Sequence, residues 1–202
     1  MIFTDNKDNN IAYFNASLIK YTNLNTYIEL FKTAAKLRSI STITDIQPDI
    51  LGSNIESTLV KYGKPDFIFN DNKLMIYLYS RKLNELKIRY EIHFYSNKVF
   101  AAHYIYQKLA HDDKNYLINK LKDEYLAPDI DWADICKSKI IDKNHETVFL
   151  KEFLGGLQIT YLSGKELDWF TGMTAEIKAR REDKSVAIKS ANSNIARFLA
   201  RR

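Results

Sequence analysis

Little in this chain of 202 residues could staple it together or break it into loose segments. The single cysteine, Cys136, excludes an internal disulfide framework and suits a reducing compartment. With no histidine near it in sequence, it reads as a small buried hydrophobe. Six glycines and three prolines are too few for long disordered or collagen-like stretches. No run approaches the roughly 18 apolar residues of a membrane helix, and residues 1–10 are polar and acidic, unlike a secretion leader. These absences predict a cytoplasmic chain with no transmembrane segment. Four histidines (His93, His103, His111 and His145) are too scattered for a metal motif, and the serine-hydrolase elbow, the zincin pair and the phosphate loop are all missing. No catalytic constellation, metal or cofactor is predicted.

What the chain does have is apolar bulk, 46% of its residues, with 13 tyrosines and 11 phenylalanines. That is enough for a core and well suited to sheet surfaces. Its charge is lopsided. Residues 171–202 hold eight Lys/Arg against three acids, whereas residues 1–170 hold 22 of each sign, so the net charge of +5 belongs to the tail. A local excess of this kind points to a contact surface.

Periodicity organises the rest. Tyr27, Leu30, Phe31, Ala34 and Leu37 recur at helical spacing and predict a helix over residues 23–38; residues 42–49 read as a short strand ended by Pro48. Ser53 and Glu56 form a capping box that opens a helix with Ile55, Leu59 and Tyr62 inward and Gly63 and Pro65 as its stop. Strands follow over residues 67–70, 74–80, 87–95 and 99–108. In the third, Ile88, Tyr90, Ile92 and Phe94 alternate with Lys87, Arg89, Glu91 and His93. Asp112 or Asp113 caps a helix with Leu117, Leu121 and Tyr125 inward, and Asp131 caps a shorter one through Ile140. Residues 147–154 and 157–163 form a hairpin around Gly155-Gly156. Ser163 and Glu166 then cap a helix carrying Leu167, Phe170, Met173 and Ile177. The predicted fold is α+β: an antiparallel meander of about four strands plus the later hairpin, packed by helices. One domain is expected over residues 1–170, with a basic helical extension over 171–202.

Three clusters invite a chemical reading. A two-residue turn at Ser96-Asn97 would set His103 opposite Tyr90, while a three-residue turn would set it opposite Glu91, a His–carboxylate pair of the kind that tunes acid–base groups. Asp129, Asp131 and Asp134 surround Trp132, but the glycine and the terminal acid of a calcium loop are missing, and Asp131 and Asp134 read as helix caps. Tyr77, Tyr79 and Tyr104 with Arg89 could form an exposed aromatic sheet face, although the RNA-binding signature of such sheets is absent.

The tail carries the strongest contact candidates: Lys178, Arg180, Arg181 and Lys184, then Arg197, Phe198, Leu199, Arg201 and Arg202, an amphipathic basic end suited to a protein groove or to phosphate. The helix leading into Tyr62-Gly63-Lys64-Pro65-Asp66 and consecutive strands resembles small α-β-β modules used for protein binding in bacterial envelopes. The later order of strands, helix, hairpin and helix is similar to small secretion chaperones. Neither resemblance assigns a site residue. The function expected is non-enzymatic binding of another protein, as an adaptor, chaperone or immunity-type module. The alternative is a nucleic-acid-associated protein or ribonucleoprotein subunit that contacts phosphate through the tail.

Overall fold

The structure is a computed structural model that describes residues 35–43, 50–71, 73–83, 86–131, 135, 138–153, 155–164, 171–180 and 182–183. The chain divides into two compact units, Thr33–Leu167 and a second formed by Met1–Lys32 with Asp168–Arg202. In the second, residues 171–180 are helical.

The Thr33–Leu167 unit is built on one sheet. Its strands are β1 (Ala35–Arg38), β2 (Phe67–Asp71), β3 (Leu74–Leu83), β4 (Leu86–Tyr95), β5 (Lys98–Gln107), β6 (Ser138–Ile141), β7 (Thr147–Phe153) and β8 (Gly156–Leu162), with helices α1 (Ile55–Tyr62) and α2 (His111–Tyr125). The strand order is β1-β6-β7-β8-β5-β4-β3-β2. All neighbours are antiparallel except β1 and β6, which run parallel.

This overturns the expected four-stranded antiparallel meander with a separate hairpin. The meander β2–β5 and the hairpin β7–β8 are parts of a single eight-stranded mixed sheet, joined where β8 pairs with β5. The two short strands that extend it were hidden in helical periodicity. Helical spacing alone puts Ala35–Arg38 at the end of a helix and residues 138–140 in the short helix from Asp131. At four residues each, they take strand geometry from pairing with one another and with β7, not from intrinsic preference. The remainder of the helix expected over 23–38 lies outside the described residues, as do 44–49.

The helices match their local chemistry with a shift at each start. Asn54, not Ser53, caps α1, accepting a hydrogen bond from the Ser57 amide at 2.8 Å. Ser53 instead donates its hydroxyl to the Ile50 carbonyl at 2.6 Å. Gly63 ends α1 at φ 74°, its amide donating to the Leu59 carbonyl at 2.9 Å. At α2 neither Asp112 nor Asp113 caps; the N-cap is Ala110, and both acids sit in the first turn where the helix dipole favours them.

The main apolar cluster lies on one sheet face, where α2 contributes Ile118, Leu121 and Tyr125. Side chains of this class each contribute roughly 1.5–3 kcal/mol when fully buried. A row of tyrosines crosses that face. Tyr90 lies 4.6 Å from Tyr104 and 5.2 Å from Tyr62, ring centroid to centroid. Their hydroxyls form a chain, Tyr104 donating to Tyr90 at 3.2 Å and Tyr90 to Tyr62 of α1 at 3.1 Å. Tyr79 donates to the Gly63 carbonyl at 3.2 Å, and burial pushes its phenol up to about 12. These rings were candidates for an exposed contact face. They are the core instead, because rows of large rings on adjacent strands bury more apolar area against α1 and α2 than they could against water.

Candidate functional site

The opposite face of the same strands carries the charged residues that alternate with the apolar ones along β4, and it too is closed. Arg89 is 8% exposed, Glu91 1%, and His93 and His103 are each 0%. Gln158 and Thr160 of β8 are buried beside them.

Local backbone chemistry aligns these groups. Ser96 and Asn97 both take positive φ, 47° and 71°, the signature of a tight two-residue hairpin turn. That turn pairs Tyr95 with Lys98 and Phe94 with Val99. The register then slips, so that His93 faces Ala101 and Glu91 faces His103. The extra residue is Phe100, a β-bulge. The turn length therefore follows one of the two registers considered from sequence, while the pairing follows the other.

The row runs Arg89, Glu91 and His93 up β4, then His103 on β5, then Gln158 and Thr160 on β8. Arg89 Nε meets Glu91 Oε1 at 2.9 Å, and Glu91 Oε2 lies 3.3 Å from His93 Nε2. Since Glu91 is ionised against Arg89, it accepts, and His93 carries its proton on Nε2. Burial pushes the His93 imidazole below its ordinary value; the Glu91 hydrogen bond and charge oppose that shift, and Arg89 adds to it. The His93 and His103 rings meet edge-on with centroids 4.4 Å apart. His103 Nδ1 lies 2.8 Å from Thr160 Oγ1 and 3.1 Å from Gln158 Nε2, which also lies 3.0 Å from Thr160 Oγ1. The Gln158 amide donates to both, leaving Nδ1 as the acceptor nitrogen of His103.

The residue types are those of an acid–base relay, but every member is sealed from solvent. As it stands, the row pairs Arg89 with Glu91 and specifies register: a one-residue slip would drive both toward tyrosines. Among the described residues no group of three His, Cys, Asp or Glu is placed to hold a metal ion. Asp129 and Asp131 are exposed; Asp134, Trp132 and Cys136 lie outside the described residues. Ser163 donates to Glu146 at 3.4 Å, and Glu166, its expected capping partner, also lies outside them.

The remaining contact candidates scatter. Tyr77, Tyr79 and Tyr104 are at most 5% exposed on the core face, and Arg89 sits in the polar row behind them, so these four make no common surface. In the tail, Lys178 and Arg180 are exposed on the helical segment, with Arg180 paired to Glu176 at 3.0 Å. Arg181, Lys184, Arg197, Phe198, Leu199, Arg201 and Arg202 lie outside the described residues. Two surface features went unread in the sequence. The first is Val60 on α1, 85% exposed beside Leu59. Together with Asn54, Ile55, Glu56 and Asn97 they line an open depression of about 510 Å³. The second is a cationic cleft beside β1, described below. Helical spacing put Leu59 inward, and only the packing of α1 shows which of its apolar groups stay outside.

No protein-family model matches the chain. No curated protein matches it in sequence either. Among solved structures it is similar to a cysteine-rich secretory protein from Staphylococcus aureus, with a TM-score of 0.42 and 11% identity over 65% of this chain. The match spans about half of that protein, 51% of its chain. Among the described residues no helix is long and apolar enough to cross a membrane.

Proposed function

We propose that this protein is a non-enzymatic binding module for another protein, acting in the cytoplasm as an adaptor, chaperone or immunity-type factor. The observation that carries the reading is the inversion of exposure. The groups capable of acid–base chemistry (Glu91, His93 and His103) are sealed, while Val60 stands 85% exposed on an apolar strip of α1. An exposed valine at the lip of an apolar depression suits insertion of a partner's side chain, the arrangement found at the centres of protein interfaces. The partner chemistry that fits α1 is an apolar anchor, and the tail by itself, with the net positive charge of the chain in residues 171–202, favours a partner that carries acids. The aromatic sheet face has no part in this proposal.

The test is affinity capture with the full-length chain, with Val60→Asp and with Lys178→Gln/Arg180→Gln, each with and without nuclease. A protein retained through nuclease treatment and lost with Val60→Asp supports the reading, and slower capture by the tail variant supports the contribution of the tail. Recovery of nucleic acid, with partners released by nuclease, would replace it with the phosphate-contacting alternative. A partner held equally by all three proteins would remove α1 and the tail from consideration.

A further inference from the structure

At the β1 end of the sheet a cleft of about 580 Å³ is lined by Lys36, Leu37, Arg38, Ser39, Ile141, Asp142, Lys143 and His145. Its size is ordinary for a small-molecule site. Three of its walls are permanent cations and one is an acid, and the acid is already occupied. Asp142 is buried, and its Oδ2 accepts from the Ile43 amide at 2.9 Å. Its Oδ1 accepts from the Asn144 amide at 2.8 Å and the Glu146 amide at 3.0 Å. A carboxylate held by three amides is committed to shaping the turn, and its single charge leaves the cleft cationic, three cations against one acid. Among the described residues, Lys36, Arg38 and Lys143 make no ion pair, and all three are exposed.

The frame that presents these cations is built in advance. Lys36 and Arg38, two apart on β1, project from the same side of the strand, and the parallel register sets Arg38 beside Ile141. Lys143 and His145 stand on the turn that Asp142 organises. His145 is held at φ 66°, a conformation costly for a residue with a side chain. Gly164 packs so closely on the His145 backbone that a β-carbon there would strike the His145 carbonyl. Strain of this kind is tolerated where the surroundings over-determine it, and such places cluster at ligand sites.

We propose that this cleft binds the phosphate group of a phosphorylated small molecule or lipid headgroup, with Lys36, Arg38 and Lys143 as its anion ligands and His145 at the rim. The charge argues for phosphate over carboxylate. A phosphomonoester brings about −1.5 to −2 charges and three acceptor oxygens, matching two ammoniums and a guanidinium fork, where a carboxylate would leave cations unmatched. The inference is independent of the protein-binding reading.

The experiment is calorimetric titration of the full chain at constant ionic strength with pyrophosphate and with glycerol 3-phosphate, alongside flotation on vesicles containing phosphatidic acid. Saturable binding is expected, weakened about tenfold by Arg38→Gln or Lys143→Gln. Arg38→Lys, which keeps the charge and loses the fork, should fall between. Both positions are exposed, so the variants should keep the wild-type unfolding midpoint, which is measured in parallel. Binding of the soluble probes assigns a free phosphate compound; binding of vesicles alone assigns a lipid headgroup. No saturable binding to any probe, or equal binding by wild type and the glutamine variants, would overturn the site.

Discussion

Glu91 faces His103 across β4 and β5, although the turn joining those strands is only two residues long. The reconciling feature is the bulge at Phe100, which advances β5 by one residue and swaps the partners of every position beyond it. Without it, His103 would enter the tyrosine row and Tyr104 would take its place beside the Arg89–Glu91 pair. One extra residue thus sorts the sheet into an aromatic face and a closed polar face.

The Arg89–Glu91 pair is buried on both sides, so its removal should be costly in a way its presence is not. Breaking such a pair leaves a charge in a poorly solvating site and costs about 3–5 kcal/mol. Glu91→Gln should lower the free energy of urea unfolding by an amount of that order, and Arg89→Met with Glu91→Leu should restore most of it. A Glu91→Gln variant as stable as wild type would show that the pair has no such role.

The His93 shift sets the sign of the pH dependence. Its folded value lies below the unfolded 6.5, so the unfolded chain binds the proton more readily. The stabilising contribution is present above 6.5 and is lost as pH falls below it toward the folded value. Urea unfolding between pH 8 and pH 5 should show this loss, and His93→Gln should flatten it. Parallel slopes for the two proteins would assign the acid sensitivity elsewhere.

Positive φ at Ser96 and Asn97 leaves room for improvement. Ser96→Asn with Asn97→Gly supplies residues that accept that backbone and should stabilise the protein by about 0.5–1 kcal/mol, read as a raised thermal midpoint. A fall would mean that the side chains present make contacts outweighing their backbone cost.

Gly164→Ala tests the frame of the cationic cleft. Its β-carbon would collide with the His145 backbone, forcing a shift that should cost about 1–3 kcal/mol. Gly52→Val is no fair control, because Gly52 has φ 82°. Ser57→Ala, on the exposed side of α1, should stay within about 0.5 kcal/mol of wild type.

Several elements could be read from residues alone because their causes are local. The stop of α1 at Gly63, the strands β2 to β5, the hairpin of β7 and β8 and the helix α2 follow from alternation, helical spacing and turn chemistry within a few residues of each other. Strands β1 and β6 could not be read that way. Ala-Lys-Leu-Arg becomes a strand only through a partner about a hundred residues away in sequence, and Ser-Lys-Ile-Ile through that same strand together with its hairpin neighbour β7. The cationic cleft depends on the same pairing, since Lys36 and Lys143 are brought together by it. Burial was equally out of reach. Alternation of Arg89, Glu91 and His93 with apolar neighbours describes a strand with one solvated face just as well as one with a satisfied polar interior. Only the tertiary structure, by closing both faces and slipping the register at Phe100, decided that these groups bind one another instead of water.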